Sequence, residues 1–67
     1  MMPPWDKFPN IPLGSIGWRM GEGETYWSDF DAWFARKHLD AKRRYAEEHP
    51  QPPSWSGFYT RKGVLPV

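Results

Sequence analysis

Aromatic side chains recur with the period of a helix in the middle of the chain. They occupy positions i, i+1, i+4, i+7 and i+8, which form one continuous stripe on a helix of 3.6 residues per turn. Thr25 or Ser28 can cap this helix, and Asp29 and Asp31 would lie in its first turns, where the helix dipole favours negative charge. The pattern predicts a helix over about residues 26–38. The stripe consists of Tyr26, Trp27, Phe30, Trp33 and Phe34.

A second helix is predicted over about residues 41–49. Asp40 is a suitable N-cap residue, and Pro50 would stop the helix because the residue before a proline disfavours helical backbone angles. Only His38 and Leu39 separate the two predicted helices. A link of this length favours an antiparallel two-helix hairpin or a kinked pair.

The segments around the hairpin are rich in proline and glycine. Residues 1–13 hold four of the eight prolines and predict an extended arm, whereas residues 14–24 hold four glycines and predict turns without regular structure. Near the other end, three aromatic residues within 54–59 recur at i, i+3 and i+4 and predict a one-turn helix. The fold class is therefore small and all-α, with a helical domain at 14–60 and a C-terminal tail at 61–67.

The composition favours aromatic over aliphatic core residues. The chain has 67 residues with 5 Trp, 4 Phe and 3 Tyr, while Leu, Ile, Val and Phe together make up only 11 positions. A core built from two short helices is expected to leave some of these rings near the surface, where exposed aromatic clusters mark binding surfaces. The expected partner-binding residues are Trp5, Phe8, Trp18, Arg19, Met20, Trp33 and Trp55.

The loop residues Trp18, Arg19 and Met20 are the preferred binding hot spot, because Trp and Arg dominate such sites. An alternative interpretation is that Trp18 fills the core of the hairpin while Arg19 stacks on an aromatic ring. The sequence leaves both interpretations open.

The residue types that usually act in catalysis do not form a recognisable catalytic motif in this sequence. The chain has no cysteine, which excludes thiol nucleophiles, disulfides and thiolate zinc sites. His38 and His49 lie too far apart for a helical metal motif, and the serines lack the context of a nucleophile. We therefore expect no catalytic residues, no metal and no cofactor.

A basic segment follows the first predicted helix and supports an alternative function. Its positive charges could form one patch that contacts phosphates, although they also balance nearby acidic residues and the formal net charge is only +1. The candidate nucleic-acid patch at the helix junction 36–44 consists of Arg36, Lys37, Lys42, Arg43 and Arg44.

Two motifs rich in glycine and tryptophan, one at each end of the helical region, resemble a pattern shared by other sequences. A Gly17-Trp18-Arg19-Met20-Gly21 block continues to Tyr26-Trp27, and Trp55-x-Gly57-Phe58-Tyr59 closes the region. In this pattern the chain resembles short bacterial or phage reading frames that share GWRMG-x-GE-x-YW, a helical hairpin and W-x-GFY. The resemblance covers roughly residues 14–60. It implies a bacterial or phage origin and a fold unit ending near residue 60, and it transfers no functional residue.

These observations favour a non-enzymatic protein-binding module. It would act by steric occlusion or bridging, as an accessory subunit of a larger assembly or as a phage-type inhibitor of a host protein. The expected partner is a larger protein or multi-subunit complex, with nucleic acid as the alternative. A third hypothesis is peripheral membrane attachment through Trp5 and Phe8 beside Lys7. Because no stretch reads as a signal peptide or a membrane span, we expect a cytoplasmic location.

Overall fold

Helices form the regular structure of this protein, seen in a computed structural model that describes residues 1–64. Two of the four α-helices within these residues are longer than one turn, and two 3₁₀ turns complete the regular structure. The described part of the chain contains no strand, so the predicted all-α class is confirmed. The helices are α1 (Pro4–Lys7), α2 (Gly21–Ala35), α3 (Leu39–Glu48) and α4 (Phe58–Arg61), and the 3₁₀ turns are Ile16–Trp18 and Pro53–Trp55.

Helix α2 carries the aromatic stripe, but it begins and ends earlier than predicted. Its first turn contains Glu22 and Glu24, and its N-cap is Met20, which makes no side-chain capping hydrogen bond. The predicted caps are therefore wrong. The Thr25 hydroxyl instead donates to the Gly21 carbonyl at 3.3 Å, inside the helix. The glycines expected to prevent regular structure are part of the first turn, because favourable packing beneath the helix outweighs their weak helical propensity.

Helix α3 follows α2 after a link of residues 36–38, so Leu39, predicted to lie in the link, is part of the helix, and the cap also differs from the predicted one. Its N-cap is His38, and Asp40 lies in the first turn without making a capping bond. The backbone N–H of His49 donates to the Tyr45 carbonyl at 2.8 Å, and the helix stops before Pro50. The ring of Tyr45 lies 5.8 Å from that of Phe30, and this aromatic contact joins α3 to α2.

The N-terminal segment is docked on the helices, so the predicted extended arm is wrong for the residues of α1. Pro3 and Pro4 are among the most completely buried side chains of the described chain. Proline suits the first position of a helix because its fixed φ is already helical and its missing N–H would have no partner there. The carbonyl of Met1 accepts a hydrogen bond from the Tyr45 hydroxyl at 2.8 Å, and that of Met2 accepts one from Tyr26. The backbone of α2 makes more close approaches to the Ile16–Trp18 turn and to α1 than to α3.

The predicted one-turn helix near residues 54–59 is two elements in the structure. Gly57, with φ of +86°, separates the Pro53–Trp55 turn from α4. This left-handed conformation is open to glycine at little cost and ends the first element. Val64 is buried, so the packed structure extends past the expected boundary at residue 60. The rest of the predicted tail, residues 65–67, lies outside the described residues.

The core consists almost entirely of aromatic rings. Six of the twelve aromatic side chains are buried and six are half-buried, and none is exposed. Ring pairs meet mostly edge to face or tilted, the geometry that the aromatic quadrupole favours. The expected surplus of surface rings is therefore absent, since the docked N-terminal segment covers rings that the helices alone would expose. The buried hydrophobic residues are Phe30, Phe34, Tyr45, Trp55, Phe58, Tyr59 and Val64.

Candidate functional site

The turn at residues 15–20, called here the exposed turn, is fixed by hydrogen bonds. The Ser15 hydroxyl accepts from the Gly17 backbone N–H at 3.2 Å and caps the 3₁₀ turn. The Trp18 indole N–H lies 3.2 Å from the Ile11 carbonyl and 3.0 Å from the Pro12 carbonyl and donates to both. The Trp18 ring packs against Trp27 at 5.1 Å. The turn is thus tied to the preceding loop and to α2.

Two large hydrophobic side chains of the exposed turn project into solvent. Ile16 is 68% exposed and Met20 is 59% exposed, the highest values among the large hydrophobic residues of the described chain. Arg19 lies between Trp18 and Met20 and is also exposed. An ordered turn that presents an isoleucine, a methionine and an arginine to water has the composition of a protein-binding surface.

A shallow groove of about 380 Å³ lies beside the exposed turn. Leu13, Trp18 and Trp27 provide its apolar lining. Arg19 contributes a positive charge, while Glu24 and Asp31 contribute negative charges. A groove with an aromatic lining and mixed charge can accept an apolar side chain together with a polar neighbour.

The predicted partner-binding residues separate into exposed and packed groups. Arg19 and Met20 are exposed on the exposed turn, whereas the neighbouring Trp18 is half-buried. Trp55, by contrast, is only 3% exposed, and the rings of Trp5, Trp18 and Trp27 surround it at 5.3–5.4 Å. Its assignment as a contact residue is corrected, because these three indoles cover its ring.

The other three predicted contact residues are half-buried and packed within the molecule. Trp5 lies 5.0 Å from the ring of Phe58, and Phe8 lies 5.8 Å from that of Tyr26. Trp33 packs 5.5 Å from Tyr45. These rings therefore contribute first to the core and present only their remaining surface to solvent.

The structure also distinguishes the two interpretations of Trp18. Its indole contacts Trp27 and Trp55 and bonds to backbone carbonyls, which is the core-filling arrangement. Arg19 does not lie over an aromatic ring of the described residues, so the stacking part of that alternative is absent. The sequence interpretation missed Ile16. The available signal was an isolated aliphatic residue between Gly14 and Gly17, outside any periodic pattern.

The predicted basic patch is divided among different surroundings. The Lys37 Nζ lies 4.2 Å above the Trp33 ring, and the Lys42 Nζ lies 5.8 Å from the Phe34 ring centre. Arg36, Arg43 and Arg44 are exposed. None of these five residues has a carboxylate partner within residues 1–64, where the ion pair found is Lys62–Asp31.

The tyrosine hydroxyls are held in their neutral form by their environment. Burial raises the pKa of Tyr45 and Tyr59 far above the ordinary phenol value, and the negative charge of Asp6 adds to the effect. Burial also raises the pKa of Tyr26, although the hydrogen bond to Met2 opposes this shift. A neutral phenol keeps its proton and can donate to backbone carbonyls, as all three residues do.

Comparison with protein-family models, with curated proteins and with solved structures produced no match for this chain. Within residues 1–64 no three potential metal ligands from His, Asp and Glu side chains come together. The helices of this same region also lack the combined length and apolar character needed to cross a bilayer.

Proposed function

We propose that this protein is a non-enzymatic protein-binding module whose contact surface is the exposed turn with its adjoining groove. The observation that carries the proposal is the exposure of Ile16 and Met20 on a turn that hydrogen bonds hold in place. A partner that covered both side chains would remove a large apolar area from water. Full burial of one such side chain contributes about 1.5–3 kcal/mol.

The rigidity of the exposed turn supports the same function. The indole hydrogen bonds already order the backbone around Trp18. Binding of a partner therefore costs little conformational entropy at this turn. Arg19 adds a side chain that can pair with a carboxylate at the edge of the contact. Trp18 supports the turn from beneath, and a variant of Trp18 would test folding rather than binding.

The expected mode of action is steric. We expect contact with a larger protein or a multi-subunit complex, either as an accessory subunit that bridges components or as a phage-type inhibitor that occludes a host surface. The groove would receive a side chain of the partner next to Arg19, Glu24 and Asp31.

The test is affinity purification from the native host with mass spectrometry, followed by reconstitution with the purified partner. The double variant Ile16→Ser, Met20→Ser should weaken the complex by a factor of at least ten, because it removes two apolar contacts. The matched control is Leu39→Ser, since Leu39 is 46% exposed but lies on α3. Circular dichroism would verify that each variant is folded.

The proposal requires the control to bind like the wild type while the double variant does not. Equal affinity of a folded double variant and the wild type would remove the exposed turn as the contact surface. A host purification that yields no stoichiometric partner would oppose the binding function itself.

Nucleic-acid binding is a second candidate, favoured by Arg36, Arg43 and Arg44. All three are exposed and have no carboxylate partner in the part of the chain that the structure describes. If this function is correct, retention on DNA should decrease steeply with salt, and Arg43→Glu with Arg44→Glu should abolish it. Wild-type protein that fails to bind DNA at low salt would exclude this candidate.

A further inference from the structure

A second concave site lies where α2, α3 and α4 approach one another. This cleft has a volume of about 260 Å³ and is lined by the end of α2 at Ala35, by Lys42 of α3 and by Arg61 and Lys62 at the end of α4. Since one water molecule takes about 30 Å³ of liquid volume, the cleft has room for a small hydrated anion. It shares Asp31 with the groove beside the exposed turn.

Charge in this cleft is only partly compensated. The Lys62 ammonium is paired with the Asp31 carboxylate, so these two charges neutralise each other. Lys42 and Arg61 have no carboxylate partner among residues 1–64. The cleft is therefore lined by two cationic residues without a carboxylate partner, one from α3 and one from α4.

The two cations have complementary binding properties. The guanidinium of Arg61 offers a planar set of N–H donors that matches two oxygens of a phosphoryl group. The Lys42 ammonium acts as a compact charge, and it is half-buried beside the Phe34 ring, 5.8 Å from the ring centre. Because Lys62 is already bound to Asp31, it borders the site without needing to change partner.

We infer that this cleft binds a phosphoryl dianion, held by Arg61 and Lys42. The charge of the ligand equals the uncompensated charge of the cleft, and its oxygens accept the hydrogen bonds that both side chains can donate. The cleft would recognise the dianionic phosphoryl group, which inorganic phosphate and a phosphate monoester have in common. Neither Lys42 nor Arg61 lines the groove beside the exposed turn, so variants of these two residues test the cleft without altering the proposed protein-binding surface.

The experiment is an NMR titration of the folded protein at constant ionic strength and about pH 8, where a phosphoryl group with a second pKa near 6 is a dianion. Inorganic phosphate and O-phosphoserine are titrated separately. We expect saturable shifts of the Ala35, Lys42 and Arg61 amide resonances. Tighter binding of O-phosphoserine would identify a monoester as the preferred source, and equal or tighter binding of inorganic phosphate would identify the free anion.

Two charge-matched variants complete the experiment. Lys42→Gln with Arg61→Gln should weaken binding by about tenfold or more, because charged hydrogen bonds are lost. Lys7→Glu, an exposed change on α1 outside the cleft, lowers the net charge equally and should retain the wild-type affinity. If the first variant does not fold, Arg61→Lys keeps the charge and should still weaken binding by loss of the planar donor set.

The inference is overturned if the wild type shows no saturable shifts near the cleft. It is also overturned if the two charge-matched variants lose affinity equally, which would indicate general electrostatic attraction.

Discussion

Gly23 is a residue whose role depends on close packing rather than on backbone freedom. It lies in the first turn of α2, where an added Cβ atom would be 2.1 Å from the Gly17 carbonyl oxygen and 3.3 Å from an Ile11 methyl group. The Gly17 carbonyl belongs to the exposed turn, which the Trp18 hydrogen bonds hold in place. Glycine at position 23 thus allows α2 to lie directly against the exposed turn.

Replacing Gly23 by alanine tests this contact at the residue scale. Helix propensity alone would stabilise Gly23→Ala by about 0.8–1.0 kcal/mol, but the clash should cost more and leave the variant less stable by roughly 1–3 kcal/mol. The free energy of unfolding from urea denaturation measures the difference. Ser28→Ala, an exposed change in the same helix, is the control and should alter stability by less than about 0.5 kcal/mol. A stabilised Gly23→Ala variant would contradict the close contact.

At the scale of elements, α1 acts as part of the core. Its Trp5 ring contacts Trp55, Phe58 and Tyr59 at 5.0–5.9 Å, and its flanking carbonyls accept hydrogen bonds from α2 and α3. One short segment therefore joins both long helices to the C-terminal elements. We conclude that α1 reinforces the aromatic contacts by which Tyr45 of α3 packs on α2.

Truncating Trp5 tests whether α1 is an integral element. Loss of a packed tryptophan costs roughly 3–5 kcal/mol when burial is complete and somewhat less for this half-buried ring, so Trp5→Ala should lower the melting temperature by many degrees. Met2→Ala in the same segment should have a small effect, because Met2 is 51% exposed. Thermal unfolding followed by circular dichroism gives both values. Equal melting of Trp5→Ala and wild type would show that α1 is not needed for the fold.

At the scale of the whole molecule, three tyrosine hydroxyls connect distant segments. They bond to the carbonyls of Met1, Met2 and His49, and burial raises the pKa of each phenol. The folded state therefore binds these protons more tightly than the unfolded state, in which a tyrosine has a pKa of about 10. The corresponding stability is complete below about pH 10 and decreases as pH rises above it toward the folded pKa.

We therefore expect cooperative alkaline unfolding. The melting temperature should change little up to about pH 9 and then fall steeply above about pH 10, with tyrosinate absorbance increasing together with loss of structure. The double variant Tyr45→Phe, Tyr59→Phe is compared with the wild type over the same pH range and should show a shallower fall. Titration of all three tyrosines near pH 10 with the fold intact would contradict this prediction.

The sequence predicted the parts of the fold that depend on local pattern. Aromatic spacing located most of α2, and Pro50 located the end of α3. Composition and turn residues also identified Trp18, Arg19 and Met20 as a candidate surface. Ile16 was missed because exposure is not periodic, and Trp55 was misassigned because its three covering indoles come from α1, the exposed turn and α2.

By itself, then, the sequence determined an all-α chain, its two long helices and an aromatic core, since periodicity and stop signals act between residues within a few turns. Only the tertiary structure decided that the N-terminal segment folds onto those helices, that α2 begins against the exposed turn and that Lys42 and Arg61 share a cleft. These features join residues far apart in the chain, such as Met1 to Tyr45 and Asp31 to Lys62. Their physical cause is mutual burial and charge pairing, which depend on all the packed segments together and leave no local spacing in the sequence.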